Sequence, residues 1–252
     1  MGRHTGKVAV CAGSATGMGA KTAERLAAEG ATVVIGDVNI EAAEALAERI
    51  RSEGGEAAAQ KFDIADEASG GDLIQSAAGR YGGLDLMHVN AADLAVIRKD
   101  RDGLSTDLAV FDRSLEVNLR GHLLCTRAAI PLMLARGRGS IVYTSSNAAK
   151  TAAPIQVGYY VSKAALNGLM RHVATRWGPE GIRANAICPG FVPTETVVAN
   201  MGEAMMEQVR KRAPSLGKVE DIAALVSFLL SDEAEWINGQ AISIDGGGVM
   251  HG

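Results

Sequence analysis

Val8-Ala9-Val10-Cys11-Ala12-Gly13-Ser14-Ala15-Thr16-Gly17-Met18-Gly19 runs an apolar stretch straight into a glycine-rich turn, and a helical pattern follows at 18–29. A short, wholly apolar run bounded by glycines reads as a strand buried on both faces, as in a parallel sheet. Glycines let the chain turn sharply and let its backbone approach a ligand closely. The helix start adds unpaired N–H groups and the positive end of a dipole, which together suit an anion. The same glycines would serve a tight strand-to-helix turn with no ligand, so the turn gains weight from its place in the first βα unit.

Outward from that turn the chain alternates between two periods. Runs at 32–35, 84–89, 140–144 and 184–188 read as strands, 60–63 as a weaker one because alanines precede it, and Ala241–Ile244 closes the series. Helical patterns lie between them at 41–53, 68–81, 107–135, Val157–Trp177 and 220–230. Apolar strands separated by helices predict an α/β fold: one doubly wound domain over residues 1–252, with a seven-stranded parallel sheet and helices on both faces. The charge cluster at 98–102 reads as a solvated loop. The stretch 194–214 interrupts the alternation, is rich in Met (Met201, Met205, Met206), and leaves the carboxyl end of a strand, so it is expected to form a short substrate lid.

Composition narrows the function. The 252 residues carry a net charge of −4, which argues against a protein built to grip a phosphate backbone. Aromatics at 4% speak against a base-stacking surface for single strands, so no nucleic-acid partner is expected. Cys11, Cys125 and Cys188 are odd in number and far apart, which disfavours a disulfide framework or a zinc site and fits a reducing, cytoplasmic compartment. No apolar run approaches the ~18 residues of a membrane span. The start lacks a myristoylation pattern, and Gly13, Gly17 and Gly19 break the only early apolar stretch, so no membrane partner and no metal are expected.

Two features give the turn a ligand. The spacing is GxxxGxG rather than the commoner dinucleotide pattern, but Gly13, Ala15, Thr16, Gly17, Met18 and Gly19 can cradle a pyrophosphate on the same physics. The second strand ends at Asp37, whose carboxylate can accept two hydrogen bonds from a ribose diol and would repel a 2′-phosphate; Val38 and Asn39 bring no cation. NAD rather than NADP is therefore expected. Asp63 and Ile64, at the end of the third strand, could hydrogen-bond and pack on an adenine.

Tyr159 and Lys163 stand four apart in a helical stretch and so share a face. An adjacent ammonium favours phenolate and is expected to lower the phenol's pKa toward the range useful for proton transfer. Ser145-Ser146 ends a strand thirteen residues before Tyr159, and Asn118 lies in the 107–135 helix. Each of these could serve structure alone, Ser146 as a strand-end cap and Asn118 as a helix-kink hydrogen-bonder.

The ordered set of Gly-rich turn, Asp37, Asn90-Ala91, Asn118, Ser146, Tyr159/Lys163, Pro189-Gly190 and Asp245-Gly246-Gly247 resembles the compact, single-domain branch of the short-chain dehydrogenases/reductases, over residues 8–247. The resemblance implies a Rossmann-type fold and an NAD-dependent oxidoreductase that interconverts a secondary alcohol and its ketone. Tyr159 would be the general acid/base, Ser146 the partner of the substrate oxygen, Lys163 the ligand of the nicotinamide ribose, and Asn118 the holder of a water in the proton path. Asn90, Ala91, Ala92, Pro189, Gly190, Val192 and Thr194 would line the cofactor. Ser146, Ala148, Gln156, Tyr159 and Phe191 would meet the substrate, among walls that include Leu94, Pro154, Val197, Met201 and Met205. These walls suggest a small to medium, largely apolar small-molecule substrate. Lys150 reads as a solvated loop lysine. A homotetramer is implied, with Leu108, Phe111, Leu115, Leu119 and Leu123 as a candidate face. Departures from the family pattern are Ala12 where Thr is usual, Val89 and Ala92 where Asn and Gly are usual, and Ala149 in place of Gly. A regulatory cofactor-binding protein and a non-redox lyase are the rival readings, since a fold hosts many functions.

Overall fold

The structure, a computed structural model, describes residues 2–195, 197–198, 207 and 216–250. Its strands are β1 (Val8–Ala12), β2 (Thr32–Asp37), β3 (Glu56–Lys61), β4 (Leu86–Val89), β5 (Gly139–Thr144), β6 (Ile182–Pro189) and β7 (Ala241–Ile244). They form one sheet in the order β3-β2-β1-β4-β5-β6-β7, and every pairing is parallel. The helices are α1 (Gly17–Ala28), α2 (Ile40–Ser52), α3 (Glu67–Tyr81), α4 (Leu94–Ile97), α5 (Leu108–Leu115), α6 (Gly121–Ala135), α7 (Val157–Trp177) and α8 (Val219–Leu230).

Alternation along β1 explains the two cores. Val10 and Ala12 face a cluster built with Leu73 of α3, Met133 of α6 and Leu166 and Met170 of α7. Ala9 and Cys11 face the other side, with Leu26 of α1, Leu46 of α2 and Val226 and Leu229 of α8. Successive side chains of a strand point to opposite faces, so an unbroken apolar run needs a helix layer on each. The departures Ala12 and Val89 are register partners on neighbouring strands, both fully buried. Two apolar neighbours there leave no polar group without a partner.

Three expectations need correction. The third strand lies four residues before its expected start, at Glu56–Lys61, and its alanines pair in register with β2. Pairing to a central strand and burial override the low strand propensity of alanine, and Asp63 falls after the strand. The helix expected over 107–135 is broken: α5 and α6 are joined by a π-helical turn, Glu116–Arg120, in which the Gly121 N–H bonds to Glu116 O. The 98–102 cluster is not all solvated, because Asp100 is 1% exposed. Most of the 194–214 stretch, Met201, Met205 and Met206 included, lies outside the described residues.

Candidate active site

The sheet order reverses between β1 and β4, and a crevice opens beyond the carboxyl ends of strands at such a point. Here it is a 470 Å³ cavity lined by Gly13, Thr16, Gly17, Met18, Asp37, Val38, Asp63, Ile64, Asn90, Ala91, Ala92 and Thr194, together with Leu94 and Arg113. The turn that floors it is tightly specified. Gly13 has φ +74°, and a Cβ there would lie 2.4 Å from Ala91 Cα. Its N–H donates to Gly36 O at 2.7 Å, and Asn90 Nδ2 donates to its carbonyl at 2.8 Å. The Asp37 carboxylate accepts from Ala15 N at 2.9 Å and Asn39 N at 3.0 Å, so it holds the turn as well as facing the cavity.

Two expected cofactor residues sit behind this lining. Ala15 is buried under the turn. Gly19 is packed so closely that a Cβ would lie 2.6 Å from Ser14 Oγ and 2.8 Å from Asn90 Nδ2, so its smallness serves the packing of helix on turn. Thr16 caps α1 by backbone geometry without a side-chain hydrogen bond, and no acidic residue occupies the first helical turn. That helix start, the glycine cradle and Asp37 fit a dinucleotide: donors for its phosphates and an acceptor for a ribose diol.

The chemical residues gather at the ends of β5 and α7. Lys163 is buried and its Nζ donates to Thr144 O at 2.8 Å. The Thr144 hydroxyl donates to Asn90 Oδ1 at 3.0 Å, so Thr144 joins Lys163 to the glycine turn through Asn90 and Gly13. Tyr159 is half-buried, its phenol is hydrogen-bonded to Ser146, and Lys163 Nζ stands 5.9 Å from the centre of its ring. Ser145 is buried and donates to Lys163 O at 3.2 Å, leaving Ser146 as the hydroxyl that meets the phenol. Asn118 sits in the π-helical turn and is 1% exposed. Its Nδ2 donates to Ser162 Oγ at 3.2 Å, while its buried Oδ1 has no partner among the described residues. π-turns inside helices recur at functional sites because they re-aim side chains and free backbone groups.

The electrostatics differ from the expectation for Tyr159. Burial pushes its phenol up, and the Ser146 hydrogen bond opposes that without reversing it. Lys163, pushed down to about 8 by burial, donates to Thr144 O and is not among the groups that set the phenol. Loss of solvation disfavours the charged form of both groups.

The other expected residues are placed as follows. Ala148 is buried in the turn after Ser146, where its N–H donates to Ser146 Oγ at 3.1 Å. Gln156 precedes α7 with φ +69°, the one non-glycine positive φ among the described residues. Pro189 and Val192 are buried, and Gly190 packs on Asp245, so these three line the end of β6 rather than the cavity. The Phe191 carbonyl accepts from Gly217 N. Lys150 is not a solvated lysine: its Nζ donates to Ala241 O at 2.6 Å and Ser243 Oγ at 3.0 Å. With Asn147 Nδ2 donating to Asp245 Oδ2 at 2.6 Å, it ties the turn after Ser146 to β7. Thr144 and Asp100, whose carboxylate accepts from Tyr159 N at 2.8 Å, were not anticipated. Nothing local marks Thr144, and Asp100 lies in an ordinary run of charges.

Among the described residues no helix is long and apolar enough to cross a membrane, and no group of three His, Cys, Asp or Glu could hold a metal ion. A family model described as Enoyl-(Acyl carrier protein) reductase matches residues 12–248. A protein of Bradyrhizobium diazoefficiens described as a probable short-chain type dehydrogenase/reductase is 43% identical, over 100% of this chain and 90% of its own. The 7alpha-hydroxysteroid dehydrogenase of Bacteroides fragilis is 33% identical, over 100% of this chain and 97% of its own. Among solved structures, a 7α-hydroxysteroid dehydrogenase complexed with NADH and 7-oxo glycochenodeoxycholic acid matches with TM-score 0.92 and 31% identity, covering 99% and 96% of the two chains. Levodione reductase matches at TM-score 0.89 and 33% identity, covering 96% and 97%. The order of the strands, the glycine turn at the switch point and these full-length likenesses agree: the chain belongs to the short-chain dehydrogenase/reductase family, whose members are oxidoreductases that bind a nicotinamide cofactor.

Proposed function

We propose that this protein is an NAD-dependent oxidoreductase that interconverts a secondary alcohol and its ketone. The observation that carries the reading is the gathering of Tyr159, Ser146 and Lys163, joined through Thr144 and Asn90 to the glycine turn of the cavity that Asp37 lines. NAD would lie along Gly13–Gly19, Asp37, Asp63 and Asn90, and when bound would accept or supply the hydride. Ser146 holds the substrate oxygen by hydrogen bonding, and Tyr159 gives or takes its proton. Lys163 would bind the nicotinamide ribose hydroxyls. Asn118 Oδ1, buried and without a partner among the described residues, would hold a water that passes the proton on toward Lys163. Ala148, Gln156 and Phe191 border the substrate. Their character favours a small to medium, mainly apolar alcohol or ketone, and the likeness to a hydroxysteroid dehydrogenase and a levodione reductase supports a cyclic one.

The same reading takes the chain as one domain and a homotetramer in a cytoplasmic setting. Leu108 and Leu123, both exposed on α5 and α6, mark the helix face that would pack between copies, and the three buried cysteines are unpaired. The test is the melting temperature with NADH and, separately, with NADPH, followed by NAD⁺ reduction with cyclic secondary alcohols. A ligand that binds only the folded state at about a hundred times its Kd adds ~2.7 kcal/mol. A larger rise with NADH is expected. A larger rise with NADPH overturns the cofactor assignment, and no rise with either favours the regulatory or non-redox reading.

A further inference from the structure

The helix that carries Tyr159 is not capped by its own sequence. Gln156, at the cap position, has φ +69° and makes no side-chain capping bond. The first-turn donors are met instead from the loop between α4 and α5. Arg101 O accepts from Val157 N at 3.1 Å, and Asp100 Oδ2 accepts from Tyr159 N at 2.8 Å. Asp100 is 1% exposed, and its other oxygen accepts from the Thr106 hydroxyl at 3.0 Å, so it cannot turn away without losing a bond. Space for the approach comes from Gly158, where a Cβ would lie 3.1 Å from Ser114 Cβ on α5 and 3.3 Å from Asp100 Oδ2. A carboxylate at a helix start answers both the orphan N–H groups and the dipole. Here it is brought from 59 residues away in sequence.

We infer that Asp100 is a positioning residue: it fixes the first turn of α7, and with it the Tyr159 side chain, against Ser146. The inference rests on the proposed role of Tyr159. A buried acceptor at this backbone N–H sets the rotation and depth of the turn, and reacting groups tolerate little displacement.

The test compares Asp100→Ala, Thr106→Val and Tyr159→Phe with the wild type. The readouts are NADH oxidation with cyclohexanone, NADH affinity, and ultraviolet difference titration of the Tyr159 phenol against Tyr159→Phe. Asp100→Ala is expected to lower kcat about 10- to 100-fold, with KM and NADH affinity within about threefold. The phenol's titration midpoint should move by about half a pH unit or more as its contact with Ser146 changes. Thr106→Val, which frees one carboxylate oxygen, is expected to show the same signature at about 3- to 10-fold, and it decides the matter if Asp100→Ala does not fold. A lower melting temperature with wild-type kcat and an unmoved midpoint means that Asp100 only stabilises the fold, and overturns the inference. Wild-type activity in Tyr159→Phe overturns the functional reading instead, and the phenol titration, which needs no turnover, still judges Asp100.

Discussion

Lys163 offers a measurement that links burial directly to stability. Its side chain is 1% exposed, and Nζ donates to Thr144 O. Burial, opposed weakly by Cys188, lowers its pKa from 10.5 to about 8. The unfolded chain then binds more protons than the folded one between these values, so stability rises with pH through the window and the cost stands in full below it. At about 1.36 kcal/mol per pKa unit, the cost near pH 7 is about 3 kcal/mol. The linkage relation relieves about 2 kcal/mol of it by about pH 9.5. Lys163→Met keeps a long unbranched side chain and removes the titrating group. Comparing urea unfolding of both proteins, followed by the fluorescence of Trp177 and Trp236, cancels the titrations that do not couple to Lys163. The wild-type stability minus that of the variant should rise by about 2 kcal/mol between about pH 7 and about pH 9.5. Parallel pH profiles would show that the lysine is as well solvated as in the unfolded chain, and the reasoning would fail.

Gly13→Ala should lower the melting temperature and abolish the rise on adding NADH. The left-handed backbone alone costs a side chain ~1–2 kcal/mol, and the new Cβ meets the Ala91 backbone, which cannot swing aside; wild-type NADH affinity would refute this. Asp85→Ala should destabilise by about 1–3 kcal/mol in urea unfolding, because Asp85, 2% exposed, accepts from Val8 N and Arg136 Nε, both at 2.9 Å. Asp85→Asn keeps an acceptor and should cost less, and equal losses in the two variants would show that the Val8 hydrogen bond is not what is lost.

Much of the site was legible because its signals are short-range. Four-residue spacing places Tyr159 and Lys163 on one face, and α7 has the expected bounds, Val157–Trp177. The resemblance implies Ser146 rather than Ser145 through its thirteen-residue step to Tyr159, and in the structure Ser145 turns inward onto Lys163 O while the Ser146 hydrogen bond acts on the phenol. The third strand was misplaced because its alanines carry little local preference and its register is set by β2. The break at Glu116–Arg120 was missed because apolar spacing through a π-turn still reads as one helix.

The amino-acid order by itself determined the alternation of strands and helices, the glycine turn, the acidic end of β2 and the shared face of Tyr159 and Lys163. These follow from backbone preference and periodicity, which act over a few residues. Only the tertiary structure decided what those groups experience. It buried Lys163 so that its charge is costly, brought Asp100 from a charged loop onto the Tyr159 N–H, and turned Lys150 onto β7 instead of into water. Solvation and long-range hydrogen bonds depend on which distant segment docks, and no window of sequence around a residue contains that segment.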